Sequence, residues 1–105
     1  MNSEIYNIYN ICKHIADNRH STEVNILLAE ELSELIKPVM KLERFNNCDK
    51  SLRCDYHDIS DNLYEELADV IIMICQFIHK NKISHENLLD EISKKLIRYY
   101  ETKQE

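Results

Sequence analysis

The amino-acid sequence predicts an all-α bundle of about four helices in a single domain, residues 1–105. Apolar residues recur three and four positions apart through nearly the whole chain, which is the period of an amphipathic helix. No segment keeps the two-residue alternation of a strand, and no internal repeat or low-complexity segment occurs. A chain of 105 residues can bury one modest core but not two.

The first helix is predicted over residues 3–17, where apolar side chains follow helical spacing: Ile5, Ile8, Tyr9, Cys12 and Ile15. Asn18 is expected to end this helix in the left-handed conformation, because asparagine replaces the glycine usually found there. Ser21 or Thr22 is expected to cap a second helix that ends at residues 46–47. Pro38 lies inside that helix and predicts a bend, because it has no amide hydrogen to donate.

A polar segment, residues 46–59, is predicted to be a loop. Ser60 or Asp61 should cap a third helix that ends near Asn81, and Ser84 should cap a fourth. The fourth helix carries a stripe of apolar residues: Leu88, Leu89, Ile92, Leu96 and Tyr99. In the third helix, the sequence VIIMICQFI (residues 70–78) is apolar almost all round. A chain this small has little surface with which to cover such a helix, so a homodimer or homotetramer is expected to complete the bundle. The alternative is a central helix wrapped by the other three helices of the same chain.

Composition excludes several classes of function. The net charge of −6 argues against a nucleic-acid partner, because no basic surface is available to displace counterions. The longest apolar run has six residues (70–75), far fewer than the roughly 18 of a membrane span. The first residues lack the basic and apolar regions of a signal peptide, so a cytoplasmic location is expected. The absence of glycine excludes a phosphate-binding P-loop, which leaves metals and side chains for any phosphate chemistry.

The four cysteines do not have the spacing of a disulfide framework, and free thiols are expected. Cys48, Cys54 and His57 share the polar segment and could be imagined around zinc. Their spacing is not that of a usual finger or ribbon, and only three ligands are visible. Ordinary loop residues are the simpler interpretation.

Two of the predicted helices place acids on an apolar face. The second helix has an apolar arc made of five residues: Val24, Leu28, Leu32, Leu35 and Val39. Glu31 falls inside that arc, and Glu34 lies about 60° further round. The third helix repeats the arrangement, with an arc of Leu63, Leu67, Val70, Ile74 and Phe77 and with Met73 at its margin. Glu66 falls between Met73 and Phe77, and Asp69 lies about 60° further round the helix from Glu66.

Acids on helices are usually solvated or paired with a basic residue, but few basic residues lie near these two pairs. Four carboxylates gathered without partners would repel one another and raise their own pKa values. A divalent cation would relieve this repulsion. A ligand set made only of carboxylate oxygens suits Mg²⁺, with Mn²⁺ possible, rather than zinc or iron. The sequence has no Glu-x-x-His pair, so a di-iron bundle is disfavoured.

The segments EELSE (30–34) and EELAD (65–69), each followed by apolar residues, carry a family resemblance. The sequence resembles the MazG-like, all-α nucleoside triphosphate pyrophosphohydrolases, which are related to dimeric dUTPases and share the signature EExxE…ExxD. The resemblance is strongest over residues 20–100. Two features differ from the family: the 31-residue gap between Glu34 and Glu66 is slightly long, and the aromatic residues that read the base in some relatives have no secure counterpart.

The resemblance implies a nucleotide pyrophosphohydrolase with the reaction NTP + H₂O → NMP + PPi, on ribo- or deoxyribonucleotides. It implies that one set of four residues holds Mg²⁺ and performs catalysis: Glu31, Glu34, Glu66 and Asp69. It implies that Lys95 binds a substrate phosphate, with Arg98 as a weaker candidate. An alternative from another class is a non-catalytic regulatory or antitoxin-like partner with the same bundle, and a further one is a structural bundle with solvated acids.

Overall fold

In a computed structural model of the chain, the residues described are 2–46 and 56–104. They form four helices: α1 (Asn2–Asp17), α2 (Ser21–Asn46), α3 (Tyr56–Lys80) and α4 (His85–Gln104). Neither range contains a strand, and the prediction of an all-α fold is confirmed. In these ranges no helix is long and apolar enough to cross a membrane.

The residues predicted to stop the first helix and to cap the second were wrong, although the helices end at Asp17 and Asn46, close to the predicted positions. Asn18 does not take the left-handed conformation; its side-chain amide donates to the carbonyl of His14 at 3.1 Å instead. α2 begins at Ser21, and the carbonyl of His20 accepts from the amide of Val24 at 3.1 Å. The cap position is therefore one residue earlier than Ser21, and α2 continues through Pro38, which is buried.

The third helix begins earlier than its sequence predicted. α3 starts at Tyr56, so Ser60 and Asp61 lie inside the helix instead of capping it. The early start has a packing reason, because it brings Ile59 into the core, where it is 3% exposed. Part of the predicted loop is thus helical, and residues 47–55 of that loop lie outside the described ranges.

The turn between α3 and α4 uses a lysine where many proteins use glycine. Lys82 has a φ of 53°, the one positive φ of a residue in the described ranges, in a chain that contains no glycine. Ser84 then accepts a hydrogen bond on its hydroxyl oxygen from the amide of Asn87 at 3.2 Å. This contact confirms the predicted cap of the fourth helix.

α3 packs along α2 and also against α1. The start of α2 lies beside the end of α3, where Asn81 donates its amide to Asn25 Oδ1 at 2.9 Å, so the two helices run antiparallel. The described core draws on all three helices and consists of Cys12, Ala16, Val24, Ile59, Val70 and Met73. α4 makes no extended contact with the rest of the described chain. Its first residue, His85, is hydrogen-bonded to the hydroxyl of Tyr9 at 2.8 Å.

The buried faces of α2 and α3 are rotated from the predicted arcs. Leu32 and Val39 are each 45% exposed, although the apolar pattern placed them in the core. On α3, Met73 and Gln76 are buried instead of Leu67 and Ile74. The rotation brings the acid-bearing side of each helix toward the contact between them. The outer part of each predicted apolar arc is left exposed as a result.

Candidate metal centre

The contact between α2 and α3 brings three glutamates together. Glu31, Glu34 and Glu66 each offer one carboxylate oxygen, and these oxygens all lie within 4.8 Å of one another. The two residues on α2 share a face because they are three positions apart. Glu66 reaches them from α3 because the two helices pack side by side. The cluster therefore depends on both local spacing and tertiary packing.

Two oxygens of this cluster are enclosed by protein. Glu31 and Glu66 are half-buried, whereas Glu34 is exposed. The Oε2 atoms of Glu31 and Glu66 are shielded from solvent and have no hydrogen-bond partner within the described residues. A buried carboxylate oxygen without a partner is unfavourable, because it has lost water and gained nothing in exchange. These two oxygens would therefore be stabilised by a bound cation or by a hydrogen-bond donor.

Burial and neighbouring charge both raise the pKa of the enclosed acids. The pKa of Glu31 is raised mainly by burial, then by the negative charges of Glu34, Asp69 and Glu66 and by a hydrogen bond with Glu34. The pKa of Glu66 is raised mainly by burial, then by the charges of Glu34, Asp69 and Glu65. No lysine or arginine is among these causes. The residues present therefore fit a hard cation, since it would satisfy the enclosed oxygens and offset the repulsion.

The other acids differ in their relation to this cluster. Asp69 is exposed and lies outside the tight group of three, but its charge acts on both Glu31 and Glu66. Glu30 and Glu65 are exposed. The structure thus brings three of the four predicted ligands into close contact and leaves the fourth beside them.

The predicted phosphate-binding residues do not reach the acids within one chain. Lys95 and Arg98 line a shallow cleft of about 230 Å³ on α4 together with Tyr99 and Thr102. α4 makes no extended contact with the described parts of α2 or α3. Of the imagined zinc ligands, Cys48 and Cys54 lie outside the described residues.

Sequence reasoning missed a polar contact between α3 and the residues that connect α1 and α2. Arg19 follows α1 and donates from Nη1 to Gln76 Oε1 at 2.9 Å. Gln76 is 1% exposed, which is unusual for a glutamine. A signal was present, because Gln76 is the one polar residue in the apolar run of residues 70–78. Its burial could not be inferred, since its partner lies 57 positions away in the chain.

The raised pKa values predict how the metal-free protein responds to pH. Because folding raises the pKa of Glu66 above its ordinary 4.5, the folded state binds protons more tightly than the unfolded state. The stability of the metal-free protein should therefore fall as pH rises through the raised value. Glu66→Gln removes one of the repelling charges. In EDTA at about pH 7, the variant should melt at a higher temperature than the wild type, and this gap should close as the pH falls toward 4.5.

Thermal unfolding in EDTA at several pH values measures this difference. Glu101→Gln is the matched control, because it removes the same charge from an exposed position on α4 and should leave no pH-dependent gap. A lower melting temperature for Glu66→Gln than for the wild type at neutral pH would contradict the argument. It would mean that Glu66 has a basic partner that the substitution strands.

Comparison with known proteins assigns the chain to a family. Residues 19–102 match the MazG nucleotide pyrophosphohydrolase domain. This range contains both acid pairs and extends over most of the chain. No curated protein and no solved structure matches the sequence. The chain belongs to the MazG nucleotide pyrophosphohydrolase family.

Proposed function

We propose that this protein is a Mg²⁺-dependent nucleoside triphosphate pyrophosphohydrolase that converts (d)NTP and water to (d)NMP and pyrophosphate. The observation that carries the proposal is the pair of enclosed, partnerless oxygens on Glu31 and Glu66. The family match supports the nucleotide chemistry, and the acid cluster supports a hard cation. Bound Mg²⁺, or Mn²⁺ in its place, would neutralise the acids, attract the phosphates and lower the pKa of a water molecule.

In this proposal, the acidic residues of the site have different roles. Glu31, Glu34 and Glu66 would hold the cation, and the exposed Asp69 would be the fourth ligand. Burial of Glu31 and Glu66 limits the water around them and strengthens their interaction with bound charge. In the reaction, the oxygen of water would bond to the α-phosphorus while the bond from that phosphorus to the α–β bridging oxygen breaks. Pyrophosphate would leave with the bridging oxygen, and the water would release its proton to solvent or to a carboxylate.

A second copy of the chain is proposed to cover the apolar side of the α2–α3 pair. Leu32 and Leu67 directly follow Glu31 and Glu66, so each is rotated by about 100° from its acid. They belong to a set of exposed aliphatic residues on these two helices, here called the outer aliphatic face: Leu32, Ile36, Val39, Leu67, Ile71 and Ile74. On both helices these residues are displaced from the buried face in the same rotational sense about the helix axis. Because α2 and α3 run in opposite directions, this displacement puts all of them on one side of the helix pair.

The size and chemistry of the outer aliphatic face favour a copy of the chain as its partner. Its members are aliphatic, and a contiguous apolar surface of this kind marks a protein contact. α4 adds further large exposed apolar residues: Leu89, Ile92, Leu96, Ile97, Tyr99 and Tyr100. A chain of 105 residues has too little remaining surface to cover both. Symmetric self-association would bury both areas at once, as a homodimer or homotetramer.

Lys95, with Arg98 as the weaker candidate, is proposed to contact the substrate phosphates. Each carries a positive charge that would stabilise the pyrophosphate leaving group. Since α4 extends away from the acids within one chain, these residues would have to come from α4 of a second copy. The site would then be complete only in the oligomer.

Hydrolysis should require a divalent metal. Mg²⁺ or Mn²⁺ should support the release of NMP and pyrophosphate from a panel of triphosphates, and EDTA should abolish it, because the proposed ligands are all oxygens. Glu66→Gln should lower turnover by a factor on the order of 10² or more. Chromatographic separation of the nucleotides with a pyrophosphate assay measures both products, and Glu101→Gln serves as the control.

Products of NDP and orthophosphate would overturn the proposed cleavage position. Binding of Mg²⁺ and a non-hydrolysable triphosphate without turnover would instead favour the non-catalytic partner protein. Failure to bind either would leave the acids as part of the scaffold.

The protein should be larger than a monomer in solution. Light scattering at micromolar concentration should give at least twice the chain mass of 12.6 kDa. Leu32→Asp, which places a charge on the outer aliphatic face, should shift the mass toward that of the monomer. The control is Ser33→Asp, an exposed position next to it that does not belong to this face. A monomeric mass for the wild type would refute self-association.

Subunit mixing should show whether Lys95 acts across the interface. Lys95→Ala should lower turnover by roughly 10²–10³, as expected for the loss of a group that stabilises the transition state. Lys94→Ala is the matched control, because Lys94 pairs with Glu91 at 3.8 Å on the same helix. Co-refolding Lys95→Ala with Glu66→Gln should restore part of the activity, since one site of each mixed dimer would have intact acids and an intact lysine. No recovery would contradict a contribution from the partner.

A further inference from the structure

A cleft of about 670 Å³ lies at the end of the bundle where α1 ends, α2 begins and α3 turns into α4. Asp17 of α1, Ser21 of α2 and residues of the α3–α4 turn line it. A second cleft, of about 420 Å³, shares Asp17 and His79 with the first and continues along α1 as far as Asn10. The two adjoining clefts, together called the basic cleft, have the volume of a small-molecule site.

The basic cleft collects positive charge in a chain whose net charge is −6. Three lysines and three histidines line it: Lys13, His14, His79, Lys80, Lys82 and His85. Asp17 is the one acid on its wall among the described residues. Even with every histidine neutral, three positive charges therefore face one negative charge. A concave surface of one dominant sign raises the local concentration of ions of the opposite sign.

The single acid of the basic cleft already has a basic partner. Asp17 Oδ1 lies 2.7 Å from His79 Nε2. This hydrogen bond is the main cause that lowers the pKa of Asp17; it outweighs the opposing effect of desolvation, and the charges of His79, Lys80 and His14 add to it. The lysines lack such a match, since within the described residues no carboxylate forms an ion pair with Lys80 or Lys82.

Two contacts hold basic side chains at the wall of the cleft. The Tyr9 hydroxyl is hydrogen-bonded to His85 Nε2 at 2.8 Å, and Lys13 Nζ lies 5.1 Å from the centre of the Tyr9 ring. These contacts join α1 to the start of α4 and fix one side of the cleft. Lys13, His79 and Lys80 are half-buried, so their charges are less screened by solvent than those of fully exposed residues.

Lys82 occupies a backbone position that favours other residues. Its φ of 53° is in the left-handed region, where glycine and asparagine are much more common than lysine. The turn could be made by those residues without a charge. The lysine at this position instead adds a cation to the wall of the cleft.

We propose that the basic cleft binds a small phosphate-bearing anion, with Lys80 and Lys82 as its principal contacts. A phosphate group carries close to two charges and several acceptor oxygens, and lysine is a common phosphate ligand. Such a group matches several separate ammonium groups better than a carboxylate does. Because the chain contains no glycine, side chains and not a glycine-rich loop must supply the contacts.

The basic cleft is separate from the acid cluster. His79 follows Glu66 by thirteen residues, which places it about 20 Å along α3 and about 140° round the helix from that acid. Binding in the cleft therefore does not depend on the metal or on the pyrophosphohydrolase activity proposed above. Each of the two proposals can fail without the other.

The first test measures binding of phosphates to the full chain freed of metal on a chelating resin. Pyrophosphate, orthophosphate, AMP and acetate are titrated calorimetrically. Pyrophosphate should bind at one per chain, and acetate should bind at least roughly 10-fold more weakly because it carries a single charge. Tighter binding of AMP than of orthophosphate would identify an organic phosphomonoester as the ligand, and equal binding an inorganic phosphate. No binding of any phosphate, or acetate binding as tightly as pyrophosphate, would overturn the proposal.

The second test removes the two principal lysines together. Lys80→Gln combined with Lys82→Asn removes both charges, and asparagine tolerates the positive φ of the turn. The double variant should bind pyrophosphate roughly 10-fold more weakly than the wild type. Lys37→Gln combined with Lys94→Gln is the matched control, because it removes the same charge from exposed positions outside the cleft. An equal loss in both double variants would mean that only net charge matters, and would overturn the site.

A measurement on the wild type locates the bound anion without any substitution. Pyrophosphate added to the ¹⁵N-labelled, metal-free protein should shift the amide signals of Ser21, Lys82 and His85. The signals of Lys95 and Arg98, in the separate cleft on α4, should move less. Shifts confined to Lys95 and Arg98 would place the anion on α4 and overturn the proposal.

Discussion

The mutual repulsion of carboxylates across the α2–α3 contact is the constraint on which the rest of the structure depends. Glu31, Glu34 and Glu66 approach within 4.8 Å, and two of their oxygens are enclosed without a partner. No cation from the described side chains offsets the effect on the two raised pKa values. The proposed Mg²⁺ would turn this repulsion into attraction, because a cation between the carboxylates would interact favourably with each of them.

The position of the acids also explains where the apolar surface lies. Turning Glu31 and Glu66 toward the contact between the helices rotates Leu32 and Leu67 out of it. The chain therefore carries a core that is small for its length and an aliphatic face that faces outward. The proposed metal site and the proposed oligomer are in this way two consequences of the same helix orientation. An ordinary bundle would have buried the leucines and left the acids in solvent.

The contact of Arg19 with Gln76 involves a second polar group that is buried on α3. A glutamine in an apolar run is tolerated when its amide has a firm partner. The partner here is Arg19, whose side chain remains partly exposed. This contact holds the segment between α1 and α2 against α3.

The sequence by itself determined the helices and the acid pairs. Helical spacing of apolar residues predicted all four helices, because this signal is local and repeats over many turns. Spacing of three residues likewise put Glu31 with Glu34 and Glu66 with Asp69, whatever the helices pack against. The sequence did not determine every helix end, because the start of α3 depends on the burial of Ile59, which is a tertiary contact.

Only the tertiary structure decided how the helices are rotated and what each face meets. The predicted arcs put Leu32 and Val39 in the core, but the orientation of α2 in the bundle leaves both side chains exposed. The clustering of Glu66 with the α2 acids, the burial of Gln76 and the separation of α4 from the acids all depend on distant partners. Periodicity defines which residues share a face, but the orientation of that face is set by the packing energy of the whole assembly.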